Sequence, residues 1–280
     1  MANQRNVRKR RPARERHGWA LRWMLVIAVL INLAGCNLWG KLDPLREDPL
    51  AAEVPLVIEA NFTIPEDSPV IREVRALRAE LEHDLGLRLS NRRIQVHLFQ
   101  HEASFRKFTE ERFPQLADRR AIFVSGQAGC HIHALWTDSI ASDLRHELTH
   151  AYLHTAVGTL PLWLDEGLAE YYEVSPFAGR INHEHLPQLS ELRKSGYLRV
   201  DLNRLAVMDV PEDMTSQHYA EAWLWAHFLM TGEHREILMG YLHAHREGRA
   251  VEPLQQVIQA KLPQAEQQVL AHLDRLAATR

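Results

Sequence analysis

The chain has 280 residues, 46% of them hydrophobic and 25% charged, enough for one large domain or two small ones around a packed core. Its formal net charge of −3 conceals a basic start, because eight Lys and Arg residues precede residue 23 and only Glu15 offsets them. From residue 36 onward the formal charge is about −10, which repels phosphate backbones and excludes nucleic-acid binding as an expected function.

The first 36 residues have the pattern of a secretory leader. An uncharged apolar run from Trp23 to Gly35 follows the basic stretch and is shorter than the ~20 residues that span a bilayer. It ends in Leu33-Ala-Gly-Cys36, which resembles the bacterial lipobox. This resemblance implies cleavage before Cys36 and a lipid on its sulfur. An uncleaved anchor helix is the alternative, and both interpretations place the remaining chain outside the cytoplasm.

The leader also predicts a location. The lipobox implies that residues 1–35 are a lipoprotein signal peptide and that Cys36 anchors the protein to a bacterial membrane in the cell envelope. Asn37 stands where an Asp retains Gram-negative lipoproteins in the inner membrane, which favours the outer membrane and its periplasmic face. The prolines and mixed charges of residues 36–53 predict a tether, and residues 54–280 are the predicted folded domain.

Residues 54–138 are predicted to contain a sheet. Alternating and apolar stretches predict strands, and apolar stripes at helical spacing predict helices between them. The predicted strands are 54–64, 93–99, 121–124 and 130–136, and the predicted helices are 68–85 and 102–113. The glycine-rich stretch 125–129 indicates a hairpin or bulged connection between the last two strands.

Residues 139–280 are predicted to be mostly helical. The predicted helices are 139–156, 164–173, 219–231, 234–245 and 251–278, and the Pro, Gly and Asn content of 174–214 predicts loops with short helices. The predicted fold class is therefore α+β, with a small mixed sheet and helices followed by a mostly helical C-terminal half.

The strongest chemical signal is the sequence His146-Glu-Leu-Thr-His150, which fits the H-E-x-x-H pattern on an amphipathic helix. Residues four apart on a helix lie on the same side, so both imidazoles can reach one zinc ion. Glu147 points beside the metal, where it can act as a general base toward a water molecule and then protonate the leaving amine.

A third ligand is predicted sixteen residues after His150. The segment Pro161-Leu-Trp-Leu-Asp-Glu-Gly-Leu-Ala-Glu170 places Glu166 on a following helix that can fold back beside the first. Glu170 lies one turn beyond Glu166, from where it can accept a hydrogen bond from the free ring nitrogen of a ligating histidine.

These two motifs together resemble the peptidase MA-like gluzincins, a branch of the thermolysin-type metallopeptidase clan, over about residues 94–245. The resemblance implies a zincin-like fold, a polypeptide substrate, Zn²⁺ as cofactor, ligands His146, His150 and Glu166, and Glu147 as base, with Glu170 behind the ligands. A metzincin would need a glycine and a third histidine later in the first motif, where this chain has Leu153 and Ala156, so that class is excluded.

The resemblance also points to Tyr219, because such families carry a tyrosine that opens a downstream helix. Its phenol could donate to the oxyanion of a tetrahedral intermediate, or Tyr219 could simply pack its helix. His218 is a lesser candidate for the same role. The stretch 128–136 is predicted to be the edge strand that binds an extended substrate, as zincins use the strand before the active helix.

Other candidate residues are predicted to be structural. His154 is turned ~80° away from His146 along the helix, and Asp165 points ~100° away from Glu166, so both are poor ligands. His131 and His133 share one face of a strand and could form a second site, although surface histidines are the simpler interpretation. Cys130 is predicted to be a core residue, and so are the side chains around Trp223, Leu224, Trp225 and Phe228.

The predicted function is hydrolysis of peptide bonds by a zinc metallopeptidase anchored to a membrane. One alternative is a lipid-anchored binding or assembly factor whose metal site is structural and closed by a fourth ligand such as His154. Another is a scaffold that binds no zinc, which the complete set of ligands and base disfavours.

Overall fold

The structure is a computed structural model, and it describes residues 27–29, 56–65, 67–126 and 129–279. Of the predicted leader only Ile27–Val29 is described, and Cys36 and the tether 36–53 lie outside the described residues. None of the helices in these ranges combines the length and the hydropathy that a bilayer span requires. The layout is α+β, as predicted, with a small mixed sheet followed by a mostly helical half.

The described residues form one mixed sheet of five strands. Four of them lie between residues 56 and 135, and a short fifth one, Ile27–Val29, pairs at one edge. The strands are β1 (Ile27–Val29), β2 (Leu56–Ala60), β3 (Ile94–Phe99), β4 (Ala121–Gly126) and β5 (Gly129–Leu135). Their order across the sheet is β1-β4-β5-β3-β2, and only the β4–β5 pair is antiparallel. The hairpin predicted between β4 and β5 is confirmed by the pairing of Gly126 with Gly129.

The prediction that residues 128–136 form an edge strand is wrong, because β5 lies between β4 and β3. Cys130, Ile132 and Ala134 are buried in alternation, as the sequence pattern requires. Such alternation shows which face of a strand is buried, but it does not show which strands pair with it. The tight hairpin places β4 on the outer side of β5, so β4 is the strand farther from β3.

Two helices accompany the sheet. The first, α1 (Pro69–Leu85), starts with proline, which suits the first helical position, and ends at Gly86, whose φ of 62° lies in the left-handed region. Its buried stripe packs against the third helix. The second, α2 (Glu102–Arg112), lies on the opposite face of the sheet, where Phe108 contacts the ring of His133 at 4.5 Å between centroids.

The second half contains eight α-helices within the described residues. They are α3 (Ile140–Val157), α4 (Leu162–Glu173), α5 (His185–Lys194), α6 (Leu202–Ala206), α7 (Ser216–Thr231), α8 (Arg235–Arg246), α9 (Leu254–Lys261) and α10 (Ala265–Ala278). The central pair is α4 and α7, which approach so closely that a Cβ at Gly167 would lie 2.4 Å from the carbonyl oxygen of Ala222. One hydrophobic cluster, which includes Trp163, Trp223 and Trp225, continues from the sheet through these helices.

The single helix predicted over residues 251–278 is two helices in the structure. α9 ends at Lys261 and α10 begins at Ala265. Pro263 explains the break, because proline has no backbone N–H and disfavours helical conformation in the residue before it. The apolar positions keep helical spacing on both sides of the break, which is why periodicity alone predicts one helix.

Candidate metal centre

Two adjacent helices bring the predicted ligands together. His146 and His150 lie one turn apart on α3, and Glu166 lies on α4, which folds back against α3. Nε2 of His146 is 3.5 Å from Oε2 of Glu166, and Nε2 of His150 is 3.6 Å from the same oxygen. Ligand atoms ~2.0–2.1 Å from a shared tetrahedral zinc are about 3.3 Å apart, so these three side chains have the spacing of a metal site.

The polar atoms of this cluster are buried and lack hydrogen-bond partners among the described residues. This holds for Nε2 of His146, Nε2 of His150 and both carboxylate oxygens of Glu166. Unpaired buried polar atoms are costly, and several of them converging within 4.8 Å of one another fit a cation that would join them. The donor set, two imidazoles and one carboxylate, is one that zinc commonly takes in catalytic sites.

The electrostatics of the three groups agree with that donor set. Burial alone would raise the pKa of Glu166, but the nearby imidazoles of His150 and His146 outweigh burial and lower it to about 2. Burial likewise opposes charge on His150, but Asp165 and Glu166 raise its pKa to about 10. The charge of Glu166 is thus balanced by positive charge on the neighbouring rings, and a divalent cation at this place would replace their protons.

Two carboxylates bind the outer nitrogens of the histidines. Nδ1 of His150 is 2.8 Å from Oδ2 of Asp165, and Nδ1 of His146 is 3.1 Å from Oε2 of Glu173. Such contacts orient an imidazole so that its other nitrogen, here Nε2, faces the cluster. The sequence pattern does not identify Glu173 and predicts Asp165 only as a poor alternative ligand, although both lie on the same helix as Glu166.

The sequence predicts that Glu170 accepts a hydrogen bond from a ligating histidine, but the structure gives Glu170 other hydrogen-bond partners. Its Oε2 accepts hydrogen bonds from Nε2 of His185 at 2.8 Å and from Nδ2 of Asn182 at 3.3 Å. Asn182 also donates to Glu173 at 2.8 Å, so Glu170 belongs to the network behind His146 without a hydrogen bond to either ring in the described structure. Asn182 and His185 lie in the loop-rich segment 174–214, where the sequence offered only an Asn ahead of a short helix as a signal.

Glu147 lies between the two histidines on α3 and is also fully buried. Both of its carboxylate oxygens lack a hydrogen-bond partner in the described part of the chain. Burial raises its pKa to about 7, with the positive charges of His146 and His150 acting in the opposite direction. A carboxyl group with a pKa near 7 can both accept and donate a proton at neutral pH, as a general acid–base catalyst must.

Tyr219 lies in the first turn of α7, the helix that packs against α4, and it interacts electrostatically with Glu166. Its hydroxyl is buried, and no described residue forms a hydrogen bond with it. Burial raises the pKa of Tyr219 above its ordinary value, with the charge of Glu166 adding to the effect, so the phenol stays a proton donor. His218 has a structural place instead, because its Nδ1 accepts the backbone N–H of Thr215 at 3.0 Å in the capping box of α7.

The remaining candidates lie outside this cluster. Among the described residues, the groups of three ligands that converge are His146–His150–Glu166 and His146–Glu170–Glu173. His154 belongs to neither and packs edge-on against Phe123. His131 and His133 stack with His97 on the face of the sheet that carries α2, and they also belong to neither group. Cys130 and the aromatic residues of α7 are buried in the core, as predicted.

The fold and the cluster define a class: an α+β protein with a buried His–His–Glu group shared by two consecutive helices. Residues 140–250 match a protein family described as "Protein of unknown function (DUF1570)". This match starts at the first residue of α3, ends after α8, and includes every residue of the cluster, but it spans less than half of the chain. No curated protein matches the chain.

Proposed function

We propose that this protein is a zinc-dependent peptidase in which His146, His150 and Glu166 hold the metal and Glu147 is the general base. The observation that carries the proposal is the convergence of these buried groups, whose polar atoms have no partners among the described residues. A zinc ion at such a site supplies a Lewis acid that polarises water and the substrate carbonyl. Three protein ligands leave a coordination position open, as a catalytic site requires.

Glu147 carries the proton in the proposed reaction. Its carboxylate accepts a proton from the attacking water, whose oxygen forms the new bond to the carbonyl carbon. The same group then donates that proton to the amide nitrogen as the carbon–nitrogen bond breaks, which yields one carboxylic acid and one amine. The pKa of about 7 that burial gives Glu147 supports both halves of this cycle at neutral pH.

A polypeptide substrate is proposed from the resemblance to gluzincin peptidases and from the proton donor beside the cluster. Tyr219 has a buried hydroxyl with no hydrogen-bond partner among described residues, and it is proposed to donate to the oxygen that becomes negatively charged during attack. The packing of α7 accounts for the ring of Tyr219 but leaves its hydroxyl without a role. This orphan hydroxyl supports the catalytic interpretation.

The proposed location is the cell envelope. The lipobox-like Leu33-Ala-Gly-Cys36 supports a lipid anchor on Cys36 in a bacterial membrane, with the outer membrane favoured and the domain on the periplasmic side. C36S is expected to carry no lipid and to keep residues 1–35, because the cut before residue 36 follows lipidation of its sulfur. Mass spectrometry of the protein from cells that express the two forms measures this, and a wild type without a lipid on Cys36 would contradict the anchor.

A second candidate is a lipid-anchored binding or assembly factor with a non-catalytic metal site. The observation that favours it is the burial of the cluster, since His146, Glu147 and Glu166 are 0% exposed. A substrate must reach these atoms, whereas a structural metal does not require access. Glu147 argues for the peptidase, because its two buried oxygens serve no ligand role in a structural site.

The test combines metal analysis with cleavage of a mixed peptide library. The wild type is expected to hold one zinc per chain and to cleave peptides, to lose activity with a chelator and to regain it with zinc. E147Q should retain zinc and lose hydrolysis by about 10²–10⁴-fold, while the exposed control E110Q on α2 should match the wild type. Unchanged hydrolysis by E147Q would contradict the mechanism, and a zinc-loaded wild type that cleaves nothing would favour the binding factor.

A further inference from the structure

Arg119 occupies a fixed position beside the candidate metal centre. It lies two residues before β4, and its backbone N–H donates to the carbonyl oxygen of Leu116 at 3.0 Å. The next residue is also fixed, because the N–H of Leu135 donates to the carbonyl oxygen of Arg120 at 2.8 Å. These two hydrogen bonds fix the backbone from which the Arg119 side chain extends.

The half-buried side chain of Arg119 has one guanidinium nitrogen without a partner. Its Nη1 is buried and forms no hydrogen bond to any described residue. Neighbouring elements carry arginines that are paired: the buried Arg145 and Arg180 contact Glu80, and the half-buried Arg120 contacts Asp143. A cation that loses solvent without gaining a partner is costly, and functional sites are where such costs are retained.

The contact of the next residue places Arg119 near the metal centre, because Nη2 of Arg120 lies 2.7 Å from Oδ1 of Asp143, one turn before Glu147 on α3. The charged groups around Arg119 agree with this position. Burial lowers the pKa of its guanidinium, and the opposing influences come from Tyr219, Glu147, Glu166 and Glu212, in that order. Three of these four belong to the proposed catalytic centre, and the first is the proposed oxyanion donor. Arg119 therefore approaches the centre from the β4 side, whereas Tyr219 approaches it from α7.

We propose that Arg119 is a further catalytic residue, which donates with Tyr219 to the oxyanion that forms when water attacks the peptide carbonyl. The inference rests on the proposed function. Arginine keeps its charge throughout the reaction and presents several N–H donors from a rigid plane, so it needs no proton transfer to stabilise a new negative charge. The oxyanion would then accept hydrogen bonds both from Nη1 of Arg119 and from the hydroxyl of Tyr219, which have no partner among the described residues.

This role predicts an effect on the chemical step more than on substrate binding. A neutral carbonyl oxygen is a weaker acceptor than an oxyanion, so the bond to Arg119 strengthens as the reaction proceeds. Loss of one such donor lowers kcat by roughly 10²–10³-fold in other hydrolases. A purely structural arginine would instead change zinc content, folding or KM.

The experiment compares R119A, R119K and the control R106A, whose side chain is exposed on α2 and pairs with Glu102. With library peptides as substrates, R119A is expected to lose about 10²–10³-fold in kcat with KM within about twofold, and R119K to recover part of the loss. A peptide in which a phosphonamidate replaces the cleaved amide should bind R119A more weakly by a similar factor. Added guanidinium should partly restore R119A, whereas R106A should behave as the wild type.

Several outcomes would overturn the proposal. An unchanged kcat for R119A, or phosphonamidate binding equal to that of the wild type, excludes a role at the oxyanion. Loss of zinc or of the folded state in both R119A and R119K would make Arg119 structural. An active wild type with an unaffected R119A overturns this inference alone, whereas a wild type without hydrolysis overturns the proposed function as well.

Discussion

Nδ1 of His150 and Oδ2 of Asp165 lie 2.8 Å apart, so the residue immediately before Glu166 supports the histidine that shares the proposed metal with Glu166. Helix α4 thus contributes a carboxylate to each side of one imidazole. This arrangement explains how two neighbouring acidic residues, which point in different directions on a helix, can both belong to one site.

The first prediction concerns this contact. D165A is expected to weaken zinc affinity by about 10–100-fold, because the ring of His150 loses the acceptor that orients it. Asp165 is partly exposed and lies in the first turn of α4, so the variant should fold. Competition with a chelator of known affinity measures the change. The matched control is E102A, which removes an exposed acid from the first turn of α2; equal affinities for D165A and E102A would contradict the contact's role.

The second prediction concerns the packing of α4 on α7. G167A should lower the free energy of unfolding by about 2–3 kcal/mol, because the new Cβ would lie 2.4 Å from a backbone oxygen that cannot move by itself. G240A is the matched control, since Gly240 is exposed in α8 with no atom near its Cβ position. That variant should gain about 0.5–1 kcal/mol from helix propensity. Urea unfolding measures the free energy of unfolding of both variants. A change of the same sign in G167A and G240A would contradict the close approach of α4 to α7.

The third prediction concerns a buried histidine pair away from the metal centre. Nδ1 of His227 is 2.9 Å from Nε2 of His272, and Oγ1 of Thr231 lies 3.2 Å from the same Nδ1. The pKa of each ring is lowered to about 4, first by burial. Nearby positive charge is the second cause, from His272 at His227 and from Arg275 at His272. The folded state therefore favours two neutral rings.

Stability should fall as the medium is acidified between about pH 6.5 and pH 4. In that range the unfolded chain binds protons that the folded pair excludes, so the free energy of unfolding decreases as pH falls, by an amount on the order of a few kcal/mol. H272Q should reduce this slope, since glutamine can keep the hydrogen bond but does not titrate in this range. H83Q is the control, because the side chain of His83 is 88% exposed. Equal slopes for H272Q and the wild type would refute the assignment.

Much of the fold was predictable because its elements repeat local patterns. The stripe of α1, the stop at Gly86 and the β4–β5 hairpin are each encoded within a few residues. The place of β5 inside the sheet was not, since strand order depends on pairings between distant segments. The break at Pro263 is encoded locally, but the apolar spacing continues across it and by itself predicts one helix.

The core of the candidate site was predictable for the same reason. His146, Glu147 and His150 follow from one helical turn, and Glu166 follows from a motif with a fixed distance along the chain. Glu173, Asn182 and Arg119 were not identified, because their roles arise from how α4, a loop and a hairpin pack together. A buried polar atom without a partner is a property of the folded chain and has no signature in the sequence.

The most direct test of the central claim is the zinc content of purified protein, measured by mass spectrometry after dialysis. We expect one zinc per chain in the wild type and in the control E110A, and far less in H150A and E166A, because each of these two variants removes one of three converging ligands. A wild type without stoichiometric metal, or an E166A that retains it in full, would contradict the proposed centre.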